Sequence, residues 1–176
     1  MIRRRLFLAA TGVAAPAAAR AQKPLQIPTK WYVVRVADDA FTVEMPGIPD
    51  HRVVNDVTAR GTPFPLHSYS LESGGNSYVA QTALYPEDVD TSQPRRMLQA
   101  ALDARAAQLA GRKWAKTEWR EVDGGASVES LGTLASGGQL RLLSLQKYRR
   151  FVSLAFLGPS ATAPDADRFF RSLKVT

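Results

Sequence analysis

The chain contains only two histidines, and these are the residues best suited to metal binding or acid–base chemistry. His51 and His67 lie in neighbouring segments that are both rich in strand-forming residues. If those segments pair, the imidazoles can meet, and Asp50 or Asp56 would complete a zinc site or a base–acid pair. The spacing does not match the helical pattern of zinc ligands. We therefore favour ordinary strand-edge histidines, and predict no catalytic residue, no metal site and no cofactor.

A second motif, Ser144-Leu145-Gln146-Lys147, has the spacing that holds a nucleophilic serine near its lysine in penicillin-binding enzymes. There the motif begins a helix, so both side chains share a face. Here it lies in a predicted strand, where positions i and i+3 point to opposite faces. The pairs Gly74-Gly75, Gly124-Gly125 and Gly137-Gly138 lie between extended segments, which indicates turns and not phosphate-binding loops.

The charged residues suggest two further kinds of site. Glu87, Asp88 and Asp90 lack the alternating pattern of a calcium loop, so we interpret them as a solvated acidic approach to the following helix. Basic residues gather near the C-terminus and are candidates for contact with an anionic surface. The four favoured contacts are Arg141, Lys147, Arg149 and Arg150. The same segment also contains the basic residues Arg168, Arg171 and Lys174, and its acidic residues are Asp165 and Asp167.

Four large aromatic residues are able to anchor a binding surface: Trp31, Tyr32, Trp114 and Trp119. We expect at least two of them to pack in the core. Because Trp114 and Trp119 are five residues apart in one predicted strand, they should lie on opposite faces, with one exposed.

The elements that must position these residues follow from hydrophobic periodicity. The predicted strands are 31–36, 41–45, 53–59, 66–72, 78–85, 114–122, 127–134, 139–148 and 150–157. Helical spacing of Met97, Leu98, Ala101, Leu102, Ala106 and Leu109 predicts a helix over 92–110. Thr91 or Ser92 should cap its start and Gly111 should end it. A second helix is predicted over 164–173, with an apolar stripe that includes Phe169 and Phe170.

The late strands are apolar on both faces. Leu142 and Leu143 are neighbours in one strand, so their side chains point in opposite directions. A strand that is apolar on both sides must be covered on both sides. The sequence therefore predicts an α+β fold, an α/β/α sandwich around a mostly antiparallel sheet.

The N-terminal segment has the composition of a bacterial export signal. Arg4, Arg5, Phe7 and Leu8 match the core of a twin-arginine signal, and a mildly hydrophobic segment follows. An ordinary secretory signal is the alternative. Small residues at Ala19 and Ala21 predict cleavage before Gln22. We thus predict a signal peptide over 1–21, a lead-in over 22–30, one domain over 31–176, and a periplasmic location.

Composition limits the class of the protein. The formal charge of +7 falls to +3 when residues 1–21 are removed, because that segment holds four arginines and no acid. Such a charge gives no indication of nucleic-acid binding. Since the chain has no cysteine, disulfides and thiolate metal sites are excluded. We expect a monomer with no membrane-spanning segment after the signal.

Two segments resemble the PsbP-like proteins. Residues 41–49, Phe-Thr-Val-Glu-Met-Pro-Gly-Ile-Pro, are similar to their opening strand and turn. Residues 166–175 are similar to their C-terminal helix, with Leu173 where an aromatic residue is usual. The resemblance implies an α/β/α sandwich and a role in binding or assembly, and it transfers no catalytic residue.

The leading hypothesis is an exported, non-enzymatic module that binds an unknown envelope protein or polymer. One alternative is a hydrolytic or metal-dependent enzyme that uses His51 and His67. The other is a peripheral binder of anionic membrane or cell-wall polymer.

Overall fold

The computed structural model describes residues 30–122 and 125–176. The predicted signal peptide, its cleavage site and residues 22–29 of the lead-in lie outside the described residues. The strands are β1 (Tyr32–Arg35), β2 (Phe41–Met45), β3 (Asp50–Val57), β4 (Pro63–Ser73), β5 (Asn76–Leu84), β6 (Lys116–Val122), β7 (Gly125–Thr133), β8 (Gln139–Lys147), β9 (Arg150–Gly158) and β10 (Lys174–Val175). The helices are α1 (Pro94–Ala106) and α2 (Pro164–Arg171).

Seven strands form one antiparallel sheet in the order β3-β4-β5-β9-β8-β7-β6. Short hairpins connect β4 to β5 and β7 to β8, as the glycine pairs predicted. Gly74 and Gly75 both have positive φ angles, and so does Gly137. Only glycine adopts that backbone region without steric cost, which is why these tight turns need it.

Each face of this sheet packs against a helix, so the predicted sandwich is confirmed. Leu142 contributes to a core with Leu98 and Leu102 of α1. Its neighbour Leu143 packs on the opposite face, in the core that contains Phe169 of α2. The fold is thus α+β, with a largely antiparallel sheet between its helical layers.

The first two strands form a separate sheet, a division that the sequence did not indicate. β1 and β10 both pair with β2, and this three-stranded sheet covers the α2 side of the large sheet. Pro46 and Pro49 interrupt the strand between β2 and β3, because proline lacks the N–H that a continuing ladder requires, and tertiary packing decides that β2 pairs with β1 and β10.

The boundaries of α1 differ from the prediction. The helix begins at Pro94, and its N-cap is Gln93 without a side-chain hydrogen bond, so the predicted cap at Thr91 or Ser92 is wrong. The helix ends at Ala106, well before Gly111. Leu109 leaves the helical path and forms a bridge to Leu134, where it is buried. Tertiary packing thus overrides the helical spacing in the last turn.

We predict that Gly125→Ala destabilises the protein by about 1–3 kcal/mol. A Cβ at Gly125 would lie 2.6 Å from the backbone oxygen of Gln146, and that oxygen cannot move without shifting β8. Urea unfolding of the variant measures the loss. Gly138→Ala is the matched control in the β7–β8 connection, where the nearest atom would be 3.8 Å away. Equal stability of the two variants would contradict the steric argument.

Candidate functional site

The two histidines do meet, because the segments that contain them pair as strands β3 and β4, as the sequence analysis required. His51 lies opposite Tyr69, and Val53 lies opposite His67. The Nε2 atom of His51 is 3.2 Å from Nδ1 of His67, and the two rings are stacked. The His51 ring also stacks on Tyr69 at 4.3 Å.

The carboxylates proposed to join these histidines lie elsewhere. Asp50 and Asp56 occupy alternate positions of β3, so their side chains point to the opposite face of the sheet from His51. Within residues 30–122 and 125–176, no group of three or more potential ligands is placed to hold a metal ion. The histidine pair is an exposed stack at the edge of the sheet.

Ser144 and Lys147 do not form a catalytic pair. Ser144 is buried, with its hydroxyl 3.4 Å from the hydroxyl of Ser153. Lys147 ends the same strand three positions later and therefore points to the other face.

The three acidic residues before α1 have separate partners. The hydroxyls of Thr58 and Thr62 donate to Oδ2 of Asp88 over 2.7 and 2.8 Å. The Thr58 hydrogen bond is the main reason that the pKa of Asp88 is lowered. Asp90 accepts the backbone N–H of Ser92. Asp88 thus links the β3–β4 turn to the segment before α1, and the prediction of a merely solvated acidic approach missed that role.

Arg141 is a structural residue and not an exposed contact for anions. Its side chain is 13% exposed and bridges Glu129, at 2.7 Å, and Asp167 of α2, at 2.6 Å. Its guanidinium also lies over the ring of Phe170. The hydrogen bond from Arg141 holds the pKa of Asp167 below its usual value. Arg141 therefore does not belong with the other predicted surface cations, because two carboxylates already compensate its charge.

The predicted aromatic anchors also have structural partners. Trp114 precedes β6, and its ring N–H donates to the carbonyl of Leu102 over 3.1 Å. Trp119 packs against the same core as Trp114, and both are half-buried. The prediction that they occupy opposite faces is wrong, because Trp114 lies outside the regular strand. Trp31 packs edge-on against Tyr78, and Arg168 lies over its ring.

The other three favoured cations, Lys147, Arg149 and Arg150, lie in the β8–β9 turn, which we define as residues Lys147–Arg150. Lys147 pairs with Arg150, so Tyr148 and Arg149 are the two loop residues. The side chain of Tyr148 is 79% exposed, although its backbone has a φ of +50°. A bulky residue rarely adopts this left-handed conformation.

Two hydrogen bonds from residues outside the turn, Gln146 and Tyr85, hold the turn in this conformation. The buried amide of Gln146 donates to the carbonyl of Tyr148 over 2.7 Å. The backbone N–H of Tyr85 donates to the carbonyl of Arg149 over 2.8 Å. The rest of the fold thus fixes the direction in which the tyrosine projects.

The acidic partners of the two arginines in the turn are exposed. Arg149 lies 3.2 Å from Glu87, whose side chain is 91% exposed. Arg150 lies 3.6 Å from Asp38, which is also exposed. Exposed ion pairs of this kind contribute roughly 0–1 kcal/mol and exchange partners easily. The turn therefore presents one aromatic ring beside two arginines whose exposed acidic partners another acidic group can replace.

Sequence reasoning named the cations of the turn as candidate contacts, and it noted Tyr148 among them without predicting its strained, exposed position. The sequence did contain a signal for a strained turn. The predicted strands 139–148 and 150–157 leave almost no residues between them, and their connection contains no glycine or asparagine. A two-residue hairpin loop needs a positive φ, so its first residue had to be strained.

The described residues contain no helix that is both long and apolar enough to cross a membrane. The sequence matches no protein-family model and no curated protein. Among solved structures, the chain is similar to the solution structure of cyanobacterial PsbP (CyanoP) from Synechocystis sp. PCC 6803. The TM-score is 0.49 at 11% sequence identity, and the match covers 89% of this chain and 98% of that chain. Residues 41–49 and 166–175 resemble the PsbP-like proteins in sequence, and a structural similarity of this degree carries no conclusion about family or function.

Proposed function

We propose that this protein is an exported, non-enzymatic binding module that holds an acidic protein of the bacterial envelope at its β8–β9 turn. The observation that carries the proposal is the exposed Tyr148 in a left-handed conformation that a buried amide maintains. Such strain costs of order 1–3 kcal/mol and persists where the surrounding structure enforces it, often at functional sites.

The chemistry of the turn favours a protein partner. Tyrosine and arginine are the residue types that most often dominate binding energy at protein interfaces. Arg149 and Arg150 would exchange Glu87 and Asp38 for carboxylates of the partner. Because those acidic residues lie beside the cations, the local net charge is small, so direct contact with Tyr148 and the two arginines must supply the binding energy.

Export is part of the proposal and depends on the N-terminal segment. Arg4, Arg5, Phe7 and Leu8 form the twin-arginine pattern, with cleavage expected before Gln22. We expect the shortened chain to appear in a periplasmic extract. The Arg4→Lys/Arg5→Lys variant should not yield it there. Retention of the full chain in the cytoplasm would contradict this part of the proposal.

Substitutions at Tyr148 separate binding from folding. Tyr148→Gly should abolish capture of the partner and also raise the free energy of unfolding by about 1 kcal/mol, because glycine relieves the strained φ. Tyr148→Ala removes the same ring and keeps the strain, so it should lose the partner without gaining stability. Crosslinking in the envelope followed by mass spectrometry measures capture, and urea unfolding measures stability.

The control is Ser136→Ala, in the β7–β8 connection, which should capture the partner as the parent protein does. If Tyr148→Gly and Tyr148→Ala retain the partner, the turn is not the binding site. Binding to anionic vesicles that is unchanged by both substitutions would favour the membrane hypothesis instead.

A further inference from the structure

The β3 strand is an open edge of the seven-stranded sheet within the described part of the chain. All eight of its residues are exposed. Val53 and Val54 are 51% and 53% exposed, on opposite faces, and Val57 is also exposed. Soluble proteins usually protect such edges with charge, proline or a covering segment, because unpaired strands add further strands readily.

The backbone groups that face outward can be identified. The N–H of Thr58 donates to the carbonyl of Thr62 within the β3–β4 connection, so Thr58 points toward β4. Alternation along the strand then turns the backbone groups of His51, Val53, Asn55 and Val57 toward the open side. The side chain of Asp56 accepts the N–H of Val57 over 2.8 Å, which is consistent with an N–H that has no strand partner.

We propose that a second copy of the chain adds to this edge, and that the two β3 strands pair antiparallel about a two-fold axis at Val54. In that register Val54 faces Val54 of the second copy, and Arg52 faces Asp56 of the second copy. The symmetry produces the Arg52–Asp56 pair twice. Opposite charges directly across an antiparallel pair stabilise it.

Neighbouring registers are less favourable for electrostatic reasons. An axis at Val53 would place Asp50 opposite Asp56 of the second copy. An axis at Arg52 or at Asp56 would place two identical charges face to face. Like charges directly opposite destabilise a strand pair, so the charge pattern of β3 disfavours these three registers relative to the Val54 axis.

The other edge of the sheet differs from β3. In β6, Glu118 already forms ion pairs with Lys116 and Arg120 of the same strand. These charges protect the edge, whereas β3 presents two adjacent valines between Arg52 and Asp56 and a third valine at its end. A weakly associating dimer thus takes the place of the monomer expected from the sequence. This dimer does not depend on the role of the β8–β9 turn.

Single cysteines test the register directly, because the natural chain has none. In an antiparallel pair the Cα atoms at a non-hydrogen-bonded position lie about 4.5 Å apart, which is within disulfide range. Val54→Cys should therefore form a disulfide-linked dimer under mild oxidation. Val53→Cys is the matched control on the opposite face, because two residues displaced along the strands are too far apart to be bridged.

Crosslinking of Val54→Cys alone is the expected result. Crosslinking of Val53→Cys alone, of both variants equally, or of neither would overturn the proposal. The disulfide-free chain provides an independent measurement by sedimentation over a concentration series. Arg52→Asp should weaken its association by about tenfold or more, and the exchange Arg52→Asp/Asp56→Arg should restore it.

Association that is unaffected by either set of charges would also overturn the proposal. Val54→Asp gives a further check, because it places two carboxylates opposite each other at the two-fold axis. Position 54 is exposed in the single chain, so the substitution should not disturb its folding. It should abolish association and leave urea unfolding nearly unchanged. A folded Val54→Asp variant that still dimerises would place the contact elsewhere.

Discussion

Replacing Phe169 with alanine is expected to lower the free energy of unfolding by about 3–5 kcal/mol. The ring has no solvent exposure and is the part of α2 that enters the core between the two sheets. It packs edge-on against Tyr78 and Phe170, with ring centroids 5.5 and 5.3 Å away. Alanine would leave a cavity at the junction of three layers, where rigid strands prevent the surroundings from closing.

Urea unfolding, followed by tryptophan fluorescence, measures this loss. Arg171→Ala is the matched control in the same helix, since its side chain is exposed, and it should change stability by less than about 0.5 kcal/mol. A small effect of Phe169→Ala would mean that α2 is not required to close this face of the sheet.

Replacing Arg141 with methionine is expected to cost about 2 kcal/mol. Methionine retains much of the apolar contact with Phe170 but leaves the carboxylates of Glu129 and Asp167 without their shared cation. Both carboxylates are partly exposed, so water recovers some of the lost stabilisation. Lys116→Met is the control, because that exposed cation pairs only at the surface and its loss should have little effect.

The same substitution should change how stability depends on pH. Arg141 lowers the pKa of Asp167 in the folded protein, so the carboxylate contributes stability above the ordinary pKa of an aspartate. That contribution is lost as pH falls through the lowered value. The parent protein should therefore lose more stability on acidification than Arg141→Met does, as measured by unfolding at pH 7 and at pH 3. Parallel acid losses in the two proteins would contradict the assigned ion pair.

The proposed dimer and the proposed binding turn use different parts of the large sheet. β3 offers backbone groups and valines along one edge, whereas the β8–β9 turn offers a side chain at the end of two central strands. Substitution of Val54 should leave partner capture unaffected, and substitution of Tyr148 should leave self-association unaffected. Each proposal can therefore fail without the other.

Local patterns predicted the layers of the fold correctly. Alternation of apolar residues around Leu142 and Leu143 predicted a strand buried on both faces, and both faces are indeed covered. The stripe containing Phe169 predicted a helix that docks on the sheet. These predictions succeed because side-chain direction depends only on backbone period within one element.

Pairing between distant segments decided the sites. Arg141 was predicted as a surface cation because Glu129 is twelve residues away in sequence and becomes its neighbour only through the β7–β8 register. His51 and His67 meet only through the β3–β4 register, whereas alternation within β3 alone turns Asp50 and Asp56 to the other face. The last turn of α1 was lost because Leu109 is more favourably buried beside Leu134.

The sequence by itself determined which faces of each element are apolar, where the tight turns fall and which chemical groups the chain contains. The tertiary structure alone decided that β1, β2 and β10 form a separate sheet, that β3 remains an open edge, and that Gln146 holds Tyr148 in a strained turn. The physical reason is the range of the interactions. Backbone period acts over a few residues, whereas register and edge position depend on which distant segments share a core once their connecting loops have closed.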